Sequence, residues 1–162
     1  MPRVNINNMA SVCHLIIGRL ESRPRSWPAR SRDDALEKLE PAHLSHGVRA
    51  SEDEKLLRKF AAAGTSFHAY PTSNVLLGAA RDYANHPIKQ LLDAGCNVTL
   101  NSDDPVLFGA SITDEYLHAA FDMGFSANQV KRLAMNGFAA SLLPEADRAR
   151  FMREIEILFQ GA

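Results

Sequence analysis

The chain has 162 residues, 46% of them hydrophobic and 23% charged, with a formal net charge of −1. This is the balance of an ordinary globular chain long enough for one core, and a charge near zero offers no global field toward nucleic acid or an anionic membrane. No apolar run reaches the roughly 18 residues that span a bilayer, and two unpatterned cysteines, Cys13 and Cys96, argue for neither a disulfide framework nor a CxxC metal knuckle; they fit a reducing cytoplasm.

Two compositions meet near residue 33. Residues 1–32 are irregular. The amino-terminal stretch holds at most one short strand, and its apolar run from Ser11 to Leu20 lacks the charged flank and cleavage site of a signal peptide. Residues 19–32, RLESRPRSWPARSR, carry five arginines and two prolines. Pro24 and Pro28 forbid a continuous helix, and the segment reads as solvated chain rather than as a phosphate-binding arm. With Trp27 as its one aromatic, it gives little support to RNA binding.

From Asp33 onward the pattern is regular. DDALEKLEP has helical spacing and stops at Pro41. AHLSHG reads as a short strand closing on Gly47. Ser51 to Glu54 fits a capping box that opens a helix with Leu56, Leu57 and Phe60 on one face, ended by Gly64. TSFHAY is the next strand, broken by Pro71. Pro87 starts a helix with Ile88, Leu91 and Leu92 inward, capped by Gly95. NVTLN follows as a strand, stopped by Asp103-Asp104-Pro105. Helices are expected from Thr113 to Met123, from an S-x-x-Q box at Ser126 to Gln129, and from Pro144 through FMREIEILF. Alternating strands and helices with short connections predict parallel strands in an α/β architecture.

Three strand ends carry polar clusters: Ser45-His46-Gly47-Val48-Arg49, Tyr70-Pro71-Thr72-Ser73-Asn74 and Asn101-Ser102-Asp103-Asp104-Pro105. Each has a bland reading: a structural histidine, a capped turn, and a loop of residues that turns favour. Together they say more. His46 and Asp103 lie 57 residues apart, room for two βα units of about 30 residues each, which sets both at one face of a β/α barrel, where such folds carry their catalytic groups.

SHGVRASED, YPTSNVLLG, the HPIKQLLDAG helix, VTLNSDDPVLFG and the EYLHAA helix resemble, in order and spacing, the C-terminal third of adenosine deaminases and the related adenine and aminodeoxyfutalosine deaminases. The resemblance runs from residue 33 to about residue 150. It implies a partial (β/α)8 TIM barrel, its last strands and C-terminal helices, over residues 33–162. It implies hydrolytic deamination of an aminopurine by a zinc enzyme: adenosine first, then adenine and aminodeoxyfutalosine. By the same resemblance Asp103 falls on a zinc ligand, Asp104 on a residue that hydrogen-bonds the purine ring, and His46 on the histidine that orients and polarises the metal-bound water.

Departures from the family are as informative. Residues 1–32 contain neither the H-x-H pair of zinc ligands nor H-A-G-E; the corresponding place reads His14-Leu15-Ile16-Ile17. Ser45 stands where glycine or aspartate is common, and Tyr70 where cysteine is common. With one ligand of the three a catalytic zinc needs, the chain alone is expected to hold substoichiometric zinc and not to deaminate. It reads as a fragment that needs the missing N-terminal half, and the composition change at residue 33 is what a shifted reading frame or a misplaced start would give. The alternative is a non-catalytic partial barrel that self-associates or pairs with another chain to cover its strand edges.

Overall fold

The computed structural model describes residues 41–160; the readings for residues 1–40 fall outside them. Three strands, β1 (His43–Ser45), β2 (Ser66–Ala69) and β3 (Asn97–Leu100), form a parallel sheet in the order β1-β2-β3. Both the strands and their parallel pairing agree with the alternation seen in the sequence.

Between β1 and β2 lie a 3-10 turn, Val48–Glu52, and α1, Glu54–Ala63. Leu56, Leu57 and Phe60 are buried, as their spacing requires, and Gly64 closes the helix at φ 69°. The N-terminus corrects the sequence reading. The cap is Asp53, whose carboxylate accepts from the amides of Lys55 and Leu56, and not Ser51. Both ends of the supposed box are engaged elsewhere: the Ser51 hydroxyl donates to the Val48 carbonyl, and the Glu54 carboxylate accepts from Arg58. A cap two residues later is the result.

Pro71 ends β2 as expected, and also begins a helix. α2 spans Pro71–Leu76 with proline in its first turn, where the missing N–H costs nothing. α3 (Ile88–Asp93) buries Ile88, Leu91 and Leu92; Pro87 sits just outside it as the cap residue. After β3 come α4 (Pro105–Phe108) and α5 (Ile112–Leu117), the latter opened by a Ser111–Asp114 capping box and continued by a π-helical turn over His118–Asp122. α6 (Ala127–Ala139) has the Ser126–Gln129 box seen in the sequence, and α7 (Glu145–Phe159) starts after Pro144.

Register sorts the sheet's side chains, because residues paired across strands share a face. Leu44, Phe67 and Val98 form one row, and Ala69 and Leu100 extend it. This row joins the core with Phe60, Ile88, Leu91, Leu92 and Leu133. Phe67 is fully buried and meets Phe60 edge to face, centroids 5.3 Å apart. Burying a side chain of that size is worth roughly 2–3 kcal/mol. α6 is fastened to the sheet by Leu133 and by the Asn136 amide, which donates to the Val98 carbonyl at 2.9 Å.

The opposite face is polar. Its rows are His43, Ser66 and Asn97, then Ser45, His68 and Thr99. Here Asn97 donates to Ser66 Oγ at 2.6 Å, and His43 Nδ1 and His68 Nε2 lie 3.2 Å apart. Burial, and then the neighbouring His43, hold the His68 pKa below its ordinary value.

Candidate functional site

The three polar strand ends meet at the carboxyl edge of the sheet. The ladder runs one residue past each outer strand: the His46 amide donates to the His68 carbonyl at 2.8 Å, and the Asn101 amide to the Ala69 carbonyl at 2.9 Å. The chain then turns sharply. His46 adopts φ 60° and Asp103 φ 57°, both in the left-handed region that side-chain-bearing residues avoid. Gly47 follows at φ 61°, and a Cβ there would stand 3.2 Å from the Phe67 ring. The β1 exit therefore rests directly on the core.

These turns aim two side chains at each other. His46 Nε2 lies 3.9 Å from Asp103 Oδ2. The first turn of α2 supplies their supports: the Ser73 hydroxyl donates to the same Asp103 oxygen at 2.7 Å, and Asn74 Nδ2 lies 3.1 Å from His46 Nδ1. Tyr70 packs its ring on His46, centroids 4.4 Å apart, and its hydroxyl meets Ser45 Oγ at 3.1 Å. Burial pushes the Tyr70 pKa upward. The segment read from sequence as a pocket loop or a capped turn is thus a buried helix start that braces His46 and Asp103.

A second layer braces α2. Glu115 is fully buried, and both its oxygens accept from the Thr72 amide, at 3.3 and 3.2 Å. Burial raises its pKa. The Thr72 hydroxyl meets the Tyr83 hydroxyl at 3.0 Å, and Tyr83 stacks on His118. His86 Nε2 lies 3.3 Å from Asn74 Oδ1. Reading the sequence missed Ser73 and Asn74 as partners of Asp103 and His46, and missed Glu115 and His86 altogether. Nothing in the sequence marks them out: Ser73, Asn74 and Glu115 stand in short mixed helices, and His86 in the turn before α3.

Asp104 is placed differently from Asp103. Its Oδ1 accepts from the amides of Val106 and Leu107, making it the N-cap of α4, and it is exposed. The structure therefore brings His46 and Asp103 together, with Asp104 beside them at the helix start.

The sequence pattern of the adenosine deaminase family matches residues 26–157. The chain belongs to the adenosine deaminase family. An adenine deaminase of Sinorhizobium medicae is 42% identical over 124 residues, 76% of this chain and 38% of its own length. An adenine deaminase of Ralstonia nicotianae is 42% identical over 130 residues, 80% of this chain and 38% of that protein. The chain thus spans well under half the length of the curated relatives it matches. Among solved structures, the adenine deaminase from Arthrobacter aurescens superimposes with TM-score 0.75 at 31% identity, over 82% of this chain and 41% of that one. An amidohydrolase from Burkhoderia ambifaria with bound zinc shares the fold at TM-score 0.69 and 21% identity, over 81% of this chain and 38% of that one.

That neighbour raises the question of metal. A catalytic zinc takes three protein ligands and a water. Among the described residues no group of three or more His, Cys, Asp or Glu is placed to hold an ion. Asp103 and His46 by themselves fall short of that number of ligands.

Proposed function

We propose that the chain supplies the last three strands and the C-terminal helices of a (β/α)8 barrel that hydrolytically deaminates an aminopurine. The observation that carries this reading is the meeting of His46, Asp103 and Ser73 at the carboxyl edge of a parallel sheet, on two strand exits held in left-handed turns. Strained backbone at a polar cluster is a mark of a working site. The family match and the resemblance of VTLNSDDPVLFG support the same residues.

In this proposal Asp103 is one ligand of the family's zinc, the remaining donors coming from barrel strands that the relatives carry over the rest of their length. His46 orients the attacking water from Nε2. Asp104, whose Oδ1 holds α4, meets the purine ring with its other oxygen. Water adds at the purine carbon that bears the amino group, and ammonia leaves. Adenine is placed ahead of adenosine, a revision of the order read from sequence, because the relatives near 40% identity are named adenine deaminases. A complementary barrel segment or a second copy would cover the outer strand edges of β1 and β3.

The test is co-expression with the N-terminal part of a related adenine deaminase, followed by ammonia release and zinc content. Asp103→Ala should lose metal and activity together. His46→Ala should slow turnover by a factor of about a hundred or more with zinc retained. Asp104→Ala should chiefly raise KM. Restored activity that survives Asp103→Ala unchanged would remove this loop from the active site.

A further inference from the structure

We infer that His86, acting through Asn74, is a positioning residue that fixes His46 in the tautomer with its proton on Nε2, the nitrogen facing Asp103. The meaning of this tautomer for catalysis rests on the role proposed for His46; the tautomer itself does not.

The chain of donors starts from a group with no freedom of assignment. The Ile88 backbone N–H donates to His86 Nδ1 at 3.2 Å, so that nitrogen is an acceptor and carries no proton. A neutral imidazole has one N–H, which therefore sits on Nε2, 3.3 Å from Asn74 Oδ1. Burial supports the neutral form, lowering the His86 pKa to about 4. The oxygen of the Asn74 amide is thus committed to His86, and its nitrogen must be the atom 3.1 Å from His46 Nδ1. An amide nitrogen only donates. His46 Nδ1 then accepts, and the imidazole proton is left to Nε2, 3.9 Å from Asp103 Oδ2.

The chain is built into the core. Asn74 is 1% and His86 5% exposed, so water cannot substitute freely for either partner. A buried amide whose two ends are both engaged cannot flip without breaking two hydrogen bonds. Orienting an imidazole through the bond at its other nitrogen is a general device for setting which nitrogen faces the chemistry. Here the device reaches one residue further, to a histidine 40 positions along the chain from His46.

The tautomer is read by proton–nitrogen correlation NMR of the full chain, labelled with nitrogen-15 in its histidines, at neutral pH. In the wild type both His46 and His86 should show a protonated Nε2 and an unprotonated Nδ1. Asn74→Asp puts an acceptor against His46 Nδ1 and should move the proton there. His86→Leu frees the Asn74 amide to flip, lowering the tautomer ratio at His46 by about fivefold, one net hydrogen bond's worth. His86→Gln returns an N–H near the Nε2 position and should restore the wild-type pattern. A wild-type His46 protonated on Nδ1 would overturn the inference without any variant. So would one tautomer ratio shared by wild type, Asn74→Asp and His86→Leu. Because the readout needs no turnover, a chain with the expected signature that releases no ammonia on reconstitution supports this inference while sinking the deaminase reading.

Discussion

At the end of α1 the chain turns left-handed on Gly64, φ 69°, with nothing within 4 Å of where a Cβ would stand. At the ends of β1 and β3 it makes the same turn on His46 and Asp103. The helix exit is left to the residue that adopts this conformation without cost. The strand exits are given to residues that adopt it only under constraint, and those two carry the side chains that meet. Buried partners supply the constraint: Asn74 behind His46, Ser73 against Asp103, and the Phe67 ring beneath Gly47. Local preference decides one kind of turn; tertiary packing decides the other.

The most severe way to break this contrast is to remove the packing. Phe67→Ala should cost about 3–5 kcal/mol, the usual loss for a buried phenylalanine, measured by urea unfolding. A loss below about 1 kcal/mol would mean that the β1 exit does not rest on the core as described.

A second test uses acid. Folding lowers the His86 pKa from 6.5 to about 4. Between those values the unfolded chain binds the extra proton and the folded chain does not, so stability rises with pH across this window and is lost as pH falls through it. The full span is of order 3 kcal/mol. Denaturant midpoints measured from pH 7 down to pH 4 should therefore fall less steeply in His86→Gln than in wild type. Parallel slopes would show that His86 is not held neutral in the folded chain.

The contrast is sharpened by comparing glycine with alanine at the same positions. Both substitutions at His46 or Asp103 lose the side chain, so their difference isolates the backbone. The glycine variant should be the more stable by about 1 kcal/mol, and Gly64→Ala should be destabilised by a similar amount. Equal stabilities at 46 and 103 would mean that neither strand exit is strained. The smallest effect expected is at the α1 cap. Asp53→Ala should cost about 1 kcal/mol and Ser51→Ala less; the reverse order in thermal unfolding would reinstate the capping box read from sequence.

Much of this molecule is legible in one dimension. Leu56, Leu57 and Phe60 recur at helical spacing before Gly64, and Ile88, Leu91 and Leu92 do the same before Gly95; burial follows the period, because a helix repeats its face every 3.6 residues. The Ser126–Gln129 box is likewise local, since its donors and acceptors lie within one turn. The ordered blocks around His46 and Asp103 named the family, and both residues stand at the edge of the sheet where parallel strands leave it. Reading failed where a local pattern admits two outcomes, and where a polar residue's partner is distant in sequence. Ser51 looked like a cap because Glu54 lies three residues on, but its hydroxyl was already bonded to Val48. Glu115 looked like one more charged helix residue, and it is buried against the Thr72 amide 43 positions away. His86 looked like the start of a helix, and it holds Asn74. Periodicity records which side of an element faces inward, and so the sequence alone determined the strands, most of the helices, their inward faces, and the strand ends on which His46 and Asp103 stand. Which polar groups meet across the core depends on how those elements are stacked, and only the tertiary structure decided that Ser73, Asn74, His86 and Glu115 stand behind them.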